Sequence, residues 1–497
     1  MRKKFRPLSR SKYELCLKPN QRYRHAFNDQ RLMRRHQRLY ESMLREESIV
    51  VNQVSESHSE RTSYYRFMNN KQVGVLELLN HHCQIEESLI SDGHILCIGD
   101  STSMSLKGRL GSIKDKAKIG VLDDNKTPGM HSHACMAIDA EGGQVLGLSD
   151  LLIWNRPKRN SDSAEAVSLS YEEKESYKWE LGSVNSWRSL SFVSKITHIF
   201  DQDSDNYEAL ARILKNKKAE IVIRSKNDRV VCFEEEDLRM SQALSRQAWK
   251  MAVSVDIRAL NHYSPTHGKR IQRKARTALL RLRWISVQLH PPAHYKGDVF
   301  IDRIMSVLQI KEDLSTVPEG EEAIEWRILT SHRISEQSQA LQIVAYYQMR
   351  WYIEQLFRIL KKQGLDIEAT QLESKDAIIK QWIMAFSVAC KVLQLTLARD
   401  QCQGHAIGAT FDSKDQIVLK HLCEKLEGKT AKLQNPFPDT QLSWATWIIA
   451  RLGGWKGYKS QRSPGPITIL RGLKKFTHYR KAADIFLFSK PPPEVLN

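Results

Sequence analysis

The chain of 497 residues is 41% hydrophobic and 27% charged, which is typical of a globular protein with several domains and not of a disordered chain. Its formal net charge of +19 favours a polyanionic partner, because neutralising phosphates releases condensed counterions. No run approaches the roughly 20 apolar residues of a membrane span, and the charged N-terminus has no apolar signal region. Eight scattered cysteines without a CxxC pair indicate free thiols in a reducing cytosol and argue against a disulfide framework or a zinc ribbon.

The N-terminal region is predicted to consist of basic helices. Residues 1–50 hold 14 Lys and Arg against 5 Asp and Glu. Four of these cations are expected to lie close together along one helix, namely Arg31, Arg34, Arg35 and Arg38. A solvated basic tail is the alternative, but Tyr23, Phe27 and Leu32 are interleaved with the cations, which favours a folded module.

Short apolar runs between residues 94 and 226 predict strands. The run HILCIGDSTS (94–103) is expected to be a buried strand that ends at Gly99–Asp100. Two apolar runs joined by Ala140–Gly143 predict a hairpin, because paired glycines favour a tight turn. Further predicted elements are the acid-ended strand KITHIFDQDSD (195–205), the helix Tyr207–Lys215, the strand AEIVIRSK (219–226), a mixed segment at 228–340 and the strand EWRILTS (325–331).

The segment YYQMRWYIEQLFRILKKQG (346–364) is predicted to be one amphipathic helix, and a long helix is expected around 375–398. Spacings of 3, 4 and 7 residues place four polar side chains on one face of the first helix: Tyr347, Arg350, Glu354 and Lys361. A single carboxylate among cations and a phenol is an arrangement that suits binding of phosphate and metal.

Two strand-ending aspartates and a carboxylate on a later helix predict a divalent metal site. Asp100, Asp201 and Glu354 would supply hard oxygen ligands, which suit Mg²⁺ or Mn²⁺. Two such ions about 3.5–4 Å apart can activate the attacking oxygen and stabilise the leaving oxygen of a phosphodiester. Each signal has a structural alternative: an aspartate after a strand is often a turn residue or helix cap, and an Arg–Glu pair is often a surface ion pair.

The combined pattern resembles the bacterial cut-and-paste transposases of the "insertion sequence four" family, in particular its transposon-five type. The blocks that carry the resemblance are SYYRFMNNKQV (63–73), GDSTSMSLKGRLGSIKDK (99–116), FDQDSDNYEAL with IVIRSK, EWRILTS, and WIIARLGGW near the C-terminus. The family signature Y-(2)-R-(3)-E-(6)-K is satisfied by Tyr347, Arg350, Glu354 and Lys361.

The resemblance implies a role for individual residues. Asp100, Asp201 and Glu354 would be the catalytic triad, and Trp326 would stack on a base flipped out of the DNA. The remaining DNA contacts would be Arg224, Lys226, Tyr347, Arg350, Trp351, Arg358 and Lys361. The first 25 residues and the tail after Asp484 have no counterpart in the family pattern.

The resemblance also implies an α/β fold: an RNase H-like mixed-sheet core with a β-rich insertion, flanked by helical terminal domains. The expected domains are an end-binding domain at 1–73, a catalytic domain at 74–400 with its insertion at about 228–340, and a dimerisation domain at 401–497. The expected cofactor is Mg²⁺, replaceable by Mn²⁺, with two ions in each active site. The expected partners are double-stranded DNA, both transposon inverted repeats and target DNA, and a second protomer in a synaptic complex. The expected location is the cytoplasm, at the bacterial nucleoid, without a membrane.

Two other functions are compatible with this sequence. One is a metal-dependent nuclease of the same fold without strand transfer, and the other is a non-catalytic DNA-binding descendant of a transposase. His131 and His133 share a strand face and so could bind a metal, although a structural or surface role is favoured because no Cys or His partner has suitable spacing.

Overall fold

The computed structural model describes residues 27, 29–85, 87, 90, 93–158, 170–257, 259–264, 269–361, 364–399, 406–458, 461 and 463–487. The first 25 residues, and residues 488–497 of the tail, lie outside the described part. The chain divides into two compact units. The first comprises Met1–Lys174, Val184–Val193 and Trp351–Asn497, and the second comprises Glu175–Ser183 and Ser194–Arg350.

Helices dominate the first unit. Its elements are α1 (Gln30–Glu46), α2 (Val51–Val54), α3 (His58–Asn69), α4 (Val75–His82), β1 (His94–Ser105), β2 (Gly120–Val121), β3 (Pro128–Asp139), β4 (Val145–Trp154), the second part of α5 (Tyr177–Ser189), α9 (Trp351–Leu360), α10 (Lys375–Ala398), α11 (Ser413–Leu426), α12 (Leu442–Leu452) and α13 (Pro466–Phe486).

Strands dominate the second unit. After the first part of α5 it contains β5 (Lys195–Phe200), α6 (Tyr207–Leu214), β6 (Ala219–Arg224), β7 (Val230–Phe233), β8 (Glu236–Arg239), α7 (Met240–Ser245), β9 (Met251–Ile257), β10 (Leu260–Ser264), β11 (Lys269–Arg273), β12 (Arg276–Leu289), β13 (Met305–Glu312), β14 (Glu325–Thr330) and α8 (Gln337–Met349).

The sheet of the first unit is antiparallel, with β3 between β1 and β4. β1 pairs with β3 from Ile95 to Ser105, and β4 pairs along the other edge. The predicted hairpin of β3 and β4 is confirmed. At its turn Gly143 has a φ of 68°, and the carboxylate of Asp139 accepts a hydrogen bond from the Gly142 N–H at 2.9 Å. Glycine is suited to this turn because it adopts positive φ without a steric cost.

The predicted helix near 375–398 is confirmed and forms the core of the first unit. α10 packs against α1, α3, α4, α9, α12 and α13, so helices from both ends of the chain meet on it. Gln381 donates to the Ile49 carbonyl at 2.6 Å, and Lys380 donates to the Asn70 carbonyl at 2.9 Å. Buried polar groups that are satisfied in this way fix the N-terminal helices on α10.

The expectation that no segment is long and apolar enough to cross a membrane was wrong for α10. Among the described residues, this one helix meets the length and hydropathy requirement. Most of its surface is buried against neighbouring helices of its own unit, as in the core helix of a globular protein. Its apolar character is therefore accounted for by packing between helices.

The sheet of the second unit is mixed. β5 and β6 are parallel and are connected through α6, whereas β6 pairs with β14 in the antiparallel sense. The antiparallel part continues through β13 to β12, which also pairs with β9 and β7. The segment 228–340 is thus rich in strands. Both units combine a sheet with helices, and this mixed α/β architecture is compatible with an RNase H-like core.

Candidate active site

Asp100 lies within a strand and does not end it, which corrects the prediction from the sequence. The first six residues of β1 are buried, and Asp100–Ser103 and Ser105 are half-exposed, whereas Met104 is buried. Hydrogen bonding to β3 nevertheless continues to Ser105, with Asp100 opposite Ala134. The apolar pattern ends where burial ends, but the backbone ladder does not depend on side-chain burial. Asp100 therefore sits on a rigid strand at the point where the core meets the surface.

Glu354 belongs to the same unit, on a helix that packs against β1 and α10. The apolar face of α9 buries Ile353, Leu356, Ile359 and Leu360, and Glu354 is half-exposed. Glu354 lies in the first turn of α9, one turn after Arg350.

Asp201 directly follows β5 in the second unit, as predicted. Its carboxylate accepts a hydrogen bond from the Asp203 N–H at 2.9 Å and so caps a short 3₁₀ turn, Gln202–Ser204. Burial raises the pKa of Asp201 above its usual range. The charge of Asp203 adds to this rise, whereas the Asp203 N–H and the charges of Arg350 and Lys178 oppose it. A bound divalent cation would favour the ionised form of such a carboxyl group.

Tyr347 lies within electrostatic reach of Asp201 in the second unit. Burial raises the pKa of its phenol, the charges of Arg350 and Arg224 lower it, and the charge of Asp201 raises it further. The Arg350 guanidinium lies 6.0 Å from the centre of the Tyr347 ring. The structure thus brings together one predicted catalytic carboxylate and three of the predicted phosphate-binding residues.

Trp326 is a half-buried residue of β14 that contacts the same tyrosine. The two ring centres are 6.1 Å apart in an edge-to-face arrangement. Trp326 also lines a largely apolar cavity of about 520 Å³, together with Val253, Leu280, Ile310 and Val344. Fully enclosed core tryptophans of this protein, such as Trp382, have no exposed surface. Trp326 is therefore partly accessible and borders open space.

The predicted helix 346–364 is in fact two helices. α8 ends at Met349 and α9 begins at Trp351. Arg350 between them keeps right-handed helical backbone angles, φ −50° and ψ −32°, and its N–H bonds to the Tyr347 carbonyl, three residues back, at 3.1 Å. The division between the two units also falls here, so Tyr347 and Arg350 belong to the second unit, and Glu354 and Lys361 to the first. No glycine or proline marks this break, so the sequence carries no signal for it.

The other predicted contact residues are at least partly accessible. Arg224 is the half-exposed last residue of β6, and Lys226 is exposed in the loop that follows. On α9, the Arg358 guanidinium lies 5.1 Å from the ring centre of the exposed Trp351. Lys361, just after α9, is half-exposed.

The basic patch near the N-terminus forms one helix, as predicted. α1 begins after Asp29, whose carboxylate accepts the N–H of Arg31 at 2.7 Å. Arg31, Arg34 and Arg38 are exposed, and Arg35 is half-exposed. The opposite face of α1 is buried, so its cations face solvent on an ordered helix and not on a tail.

His131 and His133 have structural partners in the first unit. A ring nitrogen of His133 lies 3.0 Å from the Ser101 hydroxyl, and His133 is fully buried. His131 lies 3.2 Å from the Val121 carbonyl and stacks on Trp154 at 5.5 Å. These contacts favour the structural role over a metal site.

No group of three or more His, Cys, Asp and Glu side chains within the described residues is close enough together to hold a metal ion. Asp100 and Glu354 lie in the first unit and Asp201 in the second, so the triad stays a prediction. The sequence did not single out Lys178, which acts electrostatically on Asp201. Lys178 lies on another element of the second unit, and its sequence context carries no signal for this contact.

Residues 201–390 match the family model of the transposase DDE domain. The matched segment begins at Asp201 and includes the four signature residues from Tyr347 to Lys361. This match supports a DDE-type transposase, and hence a protein that acts on DNA.

Proposed function

We propose that this protein is a cut-and-paste DNA transposase of the insertion sequence four family, similar to its transposon-five type. The main support is the arrangement in the second unit, where Asp201 lies within electrostatic reach of Tyr347 and Arg350. These residues fall within the segment that matches the transposase DDE domain. A buried carboxyl group next to cations and a phenol suits a site for both metal and phosphate.

In this proposal Asp100, Asp201 and Glu354 hold two Mg²⁺ ions, which Mn²⁺ can replace. Their carboxylate oxygens are the donor type that these ions prefer, and a bound cation would counteract the burial that raises the pKa of Asp201. When bound, the ions would stabilise the charge that develops on the attacking and leaving oxygens. Arg224, Arg350 and Lys361 would bind phosphate oxygens, and Tyr347 would donate a hydrogen bond to one of them.

The proposed reaction is a series of phosphodiester exchanges. Water attacks the phosphorus at the transposon end, and the 3′-oxygen of that end leaves. The freed 3′-hydroxyl attacks the opposite strand, so that a hairpin forms and the flanking DNA is released. Water then reopens the hairpin, and the 3′-hydroxyl attacks a target phosphodiester. Each step exchanges one P–O bond for another and so needs no redox partner.

Trp326 is proposed to hold a base that is extruded when the hairpin forms. Extrusion costs a few kcal/mol, and stacking on an aromatic ring offsets about 1–3 kcal/mol of it. The cavity beside Trp326 offers apolar walls for such a base.

Trp326→Ala is expected to slow hairpin formation by about 5- to 150-fold, which is the rate equivalent of the lost stacking, and to affect first-strand nicking much less. Denaturing gels of a labelled transposon end separate the two products. Trp249→Ala is the control. Trp249 is also half-buried in this unit, but the Arg283 guanidinium lies 4.4 Å from its ring centre and packs on it. Equal losses in both steps would argue against the stacking role.

The proposed domain roles follow the resemblance. Residues 1–73 would bind the terminal inverted repeats, 74–400 would catalyse, and 401–497 would pair two protomers in a synaptic complex. The proposed location is the cytoplasm, at the nucleoid. In this scheme the exposed cations of α1 bind phosphates of the transposon end, and the affinity that they contribute falls as the salt concentration rises.

Arg34→Ala and Arg38→Ala are each expected to weaken binding of the transposon end. A plot of log affinity against log salt has a negative slope. Each substitution should make this slope less steep by about 0.9, the value for one phosphate contact. Fluorescence anisotropy across a salt series measures this slope. Lys425→Ala, which removes an exposed cation of α11, should leave it unchanged. Wild-type slopes in both arginine variants would exclude these residues as phosphate contacts.

A strand-transfer assay separates the proposed function from its alternatives. The substrate carries the inverted repeats that flank the coding region, and precut ends are offered together with plasmid target. A transposase joins the ends to the target, and a nuclease of the same fold only cleaves. A non-catalytic descendant binds the ends without Mg²⁺-dependent nicking.

A further inference from the structure

A second aspartate, Asp205, links the Asp201 turn to the loop after β6. Asp205 ends the short 3₁₀ turn that Asp201 begins, and its N–H bonds to the Gln202 carbonyl at 3.2 Å. Its side chain has no exposed surface. Among the described residues, the hydrogen-bond partners of this side chain belong to Ser225–Arg229, some twenty residues further along the chain.

Both oxygens of the Asp205 carboxylate are occupied by hydrogen-bond donors. One accepts the backbone N–H groups of Lys226 and Asn227, each at 2.8 Å. The other accepts Nε of Arg229 at 3.2 Å and Nη2 at 2.5 Å, and the Arg229 side chain is only 8% exposed. A carboxylate that is saturated in this way is poorly placed to bind a metal ion or substrate, which distinguishes Asp205 from Asp201.

The loop that Asp205 holds carries two of the proposed phosphate contacts. Arg224 directly precedes it, and Lys226 is exposed within it. The loop is also tied to β14, the strand of Trp326. The Ser225 N–H donates to the Arg327 carbonyl at 2.7 Å, and the Arg327 guanidinium donates to Asp228 at 3.0 Å.

We infer that Asp205, through Arg229, is a positioning residue for the DNA site. It holds the Asp201 turn against the loop that carries Lys226 and follows Arg224, so that both cations can contact phosphates of the transposon end. This inference rests on the proposed function. Without the Asp205 contacts the loop would still be present, but its cations would no longer be held relative to Asp201.

Asp205→Asn tests this inference, because asparagine keeps the size of the side chain but replaces one acceptor oxygen with an NH₂ group that faces donors. Glu312→Gln is the matched control. Glu312 and Arg276 form another buried carboxylate–guanidinium pair with two hydrogen bonds in the same unit, with side chains that are 0% and 8% exposed, as in the Asp205–Arg229 pair. The Glu312 pair lies on β12 and β13 and holds neither Arg224 nor Lys226.

The readout is the salt dependence of binding to a duplex of the terminal repeat, followed by single-turnover nicking at saturating protein. We expect Asp205→Asn to make the negative slope of log affinity against log salt less steep by up to about 2, for two lost phosphate contacts. Nicking should fall by about 10- to 100-fold. Glu312→Gln should keep the wild-type slope and rate even if its unfolding midpoint drops equally, because loss of folded protein lowers the bound amplitude and not the slope.

A slope and nicking rate in Asp205→Asn equal to those of Glu312→Gln would overturn the inference. If Asp205→Asn does not fold, the same two measurements are made on Arg229→Lys, since lysine keeps the charge but loses the planar guanidinium that donates both to the Asp205 carboxylate and to its backbone carbonyl. A reduced slope supports positioning, and a wild-type slope overturns it. Failure of the wild-type protein to bind the repeat would contradict the proposed function itself.

Discussion

Replacing any one of Asp100, Asp201 and Glu354 with alanine is expected to abolish metal-dependent DNA cleavage while end binding stays largely intact. Loss of a metal ligand removes several kcal/mol of transition-state stabilisation, which corresponds to at least about a thousandfold in rate. Binding should persist because it depends on cations at other positions, such as the exposed arginines of α1.

Nicking of a labelled transposon end in the presence of Mg²⁺, together with a mobility-shift assay, measures both effects. Asp203→Ala is the control for Asp201→Ala, since Asp203 is an exposed acid two residues away. It should retain activity. Chelation of divalent ions should stop nicking by the wild type, and Mg²⁺ or Mn²⁺ should restore it. Robust nicking by any triad variant would remove that residue from the proposed site.

A large pH dependence of folding stability is expected from Asp150, a fully buried residue of β4 in the sheet that carries Asp100. Burial raises its pKa to about 7, although an amide N–H of Asn185 and the charge of Arg188 oppose the rise. The carboxyl group accepts a hydrogen bond from Asn185 at 3.1 Å, and hydrogen bonding by the Leu151 N–H also opposes the rise. The folded protein therefore binds a proton at Asp150 that the unfolded chain releases near pH 4.

Because the folded-state pKa lies above the unfolded one, the contribution of Asp150 to stability is complete below about pH 4 and is lost as the pH rises to about 7. The loss is of the order of 2–4 kcal/mol. Asp150→Asn mimics the protonated carboxyl group and should remove this pH dependence. At pH 8 the variant should be more stable than the wild type.

Thermal unfolding midpoints of the two proteins, measured across this pH range, test the prediction. The difference between them should be small at low pH and should grow as the pH rises. If wild type and Asp150→Asn show the same pH dependence, Asp150 is not the group that titrates.

Local patterns in the sequence were sufficient to predict several helices and strands near the proposed site. The apolar run before Asp201 predicted the end of β5, since a buried strand ends where its hydrophobic residues end. Apolar runs around Gly142–Gly143 predicted the β3–β4 hairpin. The spacing of arginines with apolar residues predicted α1. Each of these signals comes from neighbouring residues, and periodicity and turn preference act at that range.

Other features depend on residues that are distant in the chain. β1 continues past Asp100 because β3 supplies the hydrogen bonds, and the side-chain pattern of β1 does not report this pairing. The break at Arg350 has no breaker residue. The apolar α10 is a core helix because helices from both ends of the chain cover it. The residue types and charges around the proposed site were thus determined by the sequence alone. Only the tertiary structure decided which of them meet, such as Asp205 with Arg229, because these contacts join segments that no local pattern connects.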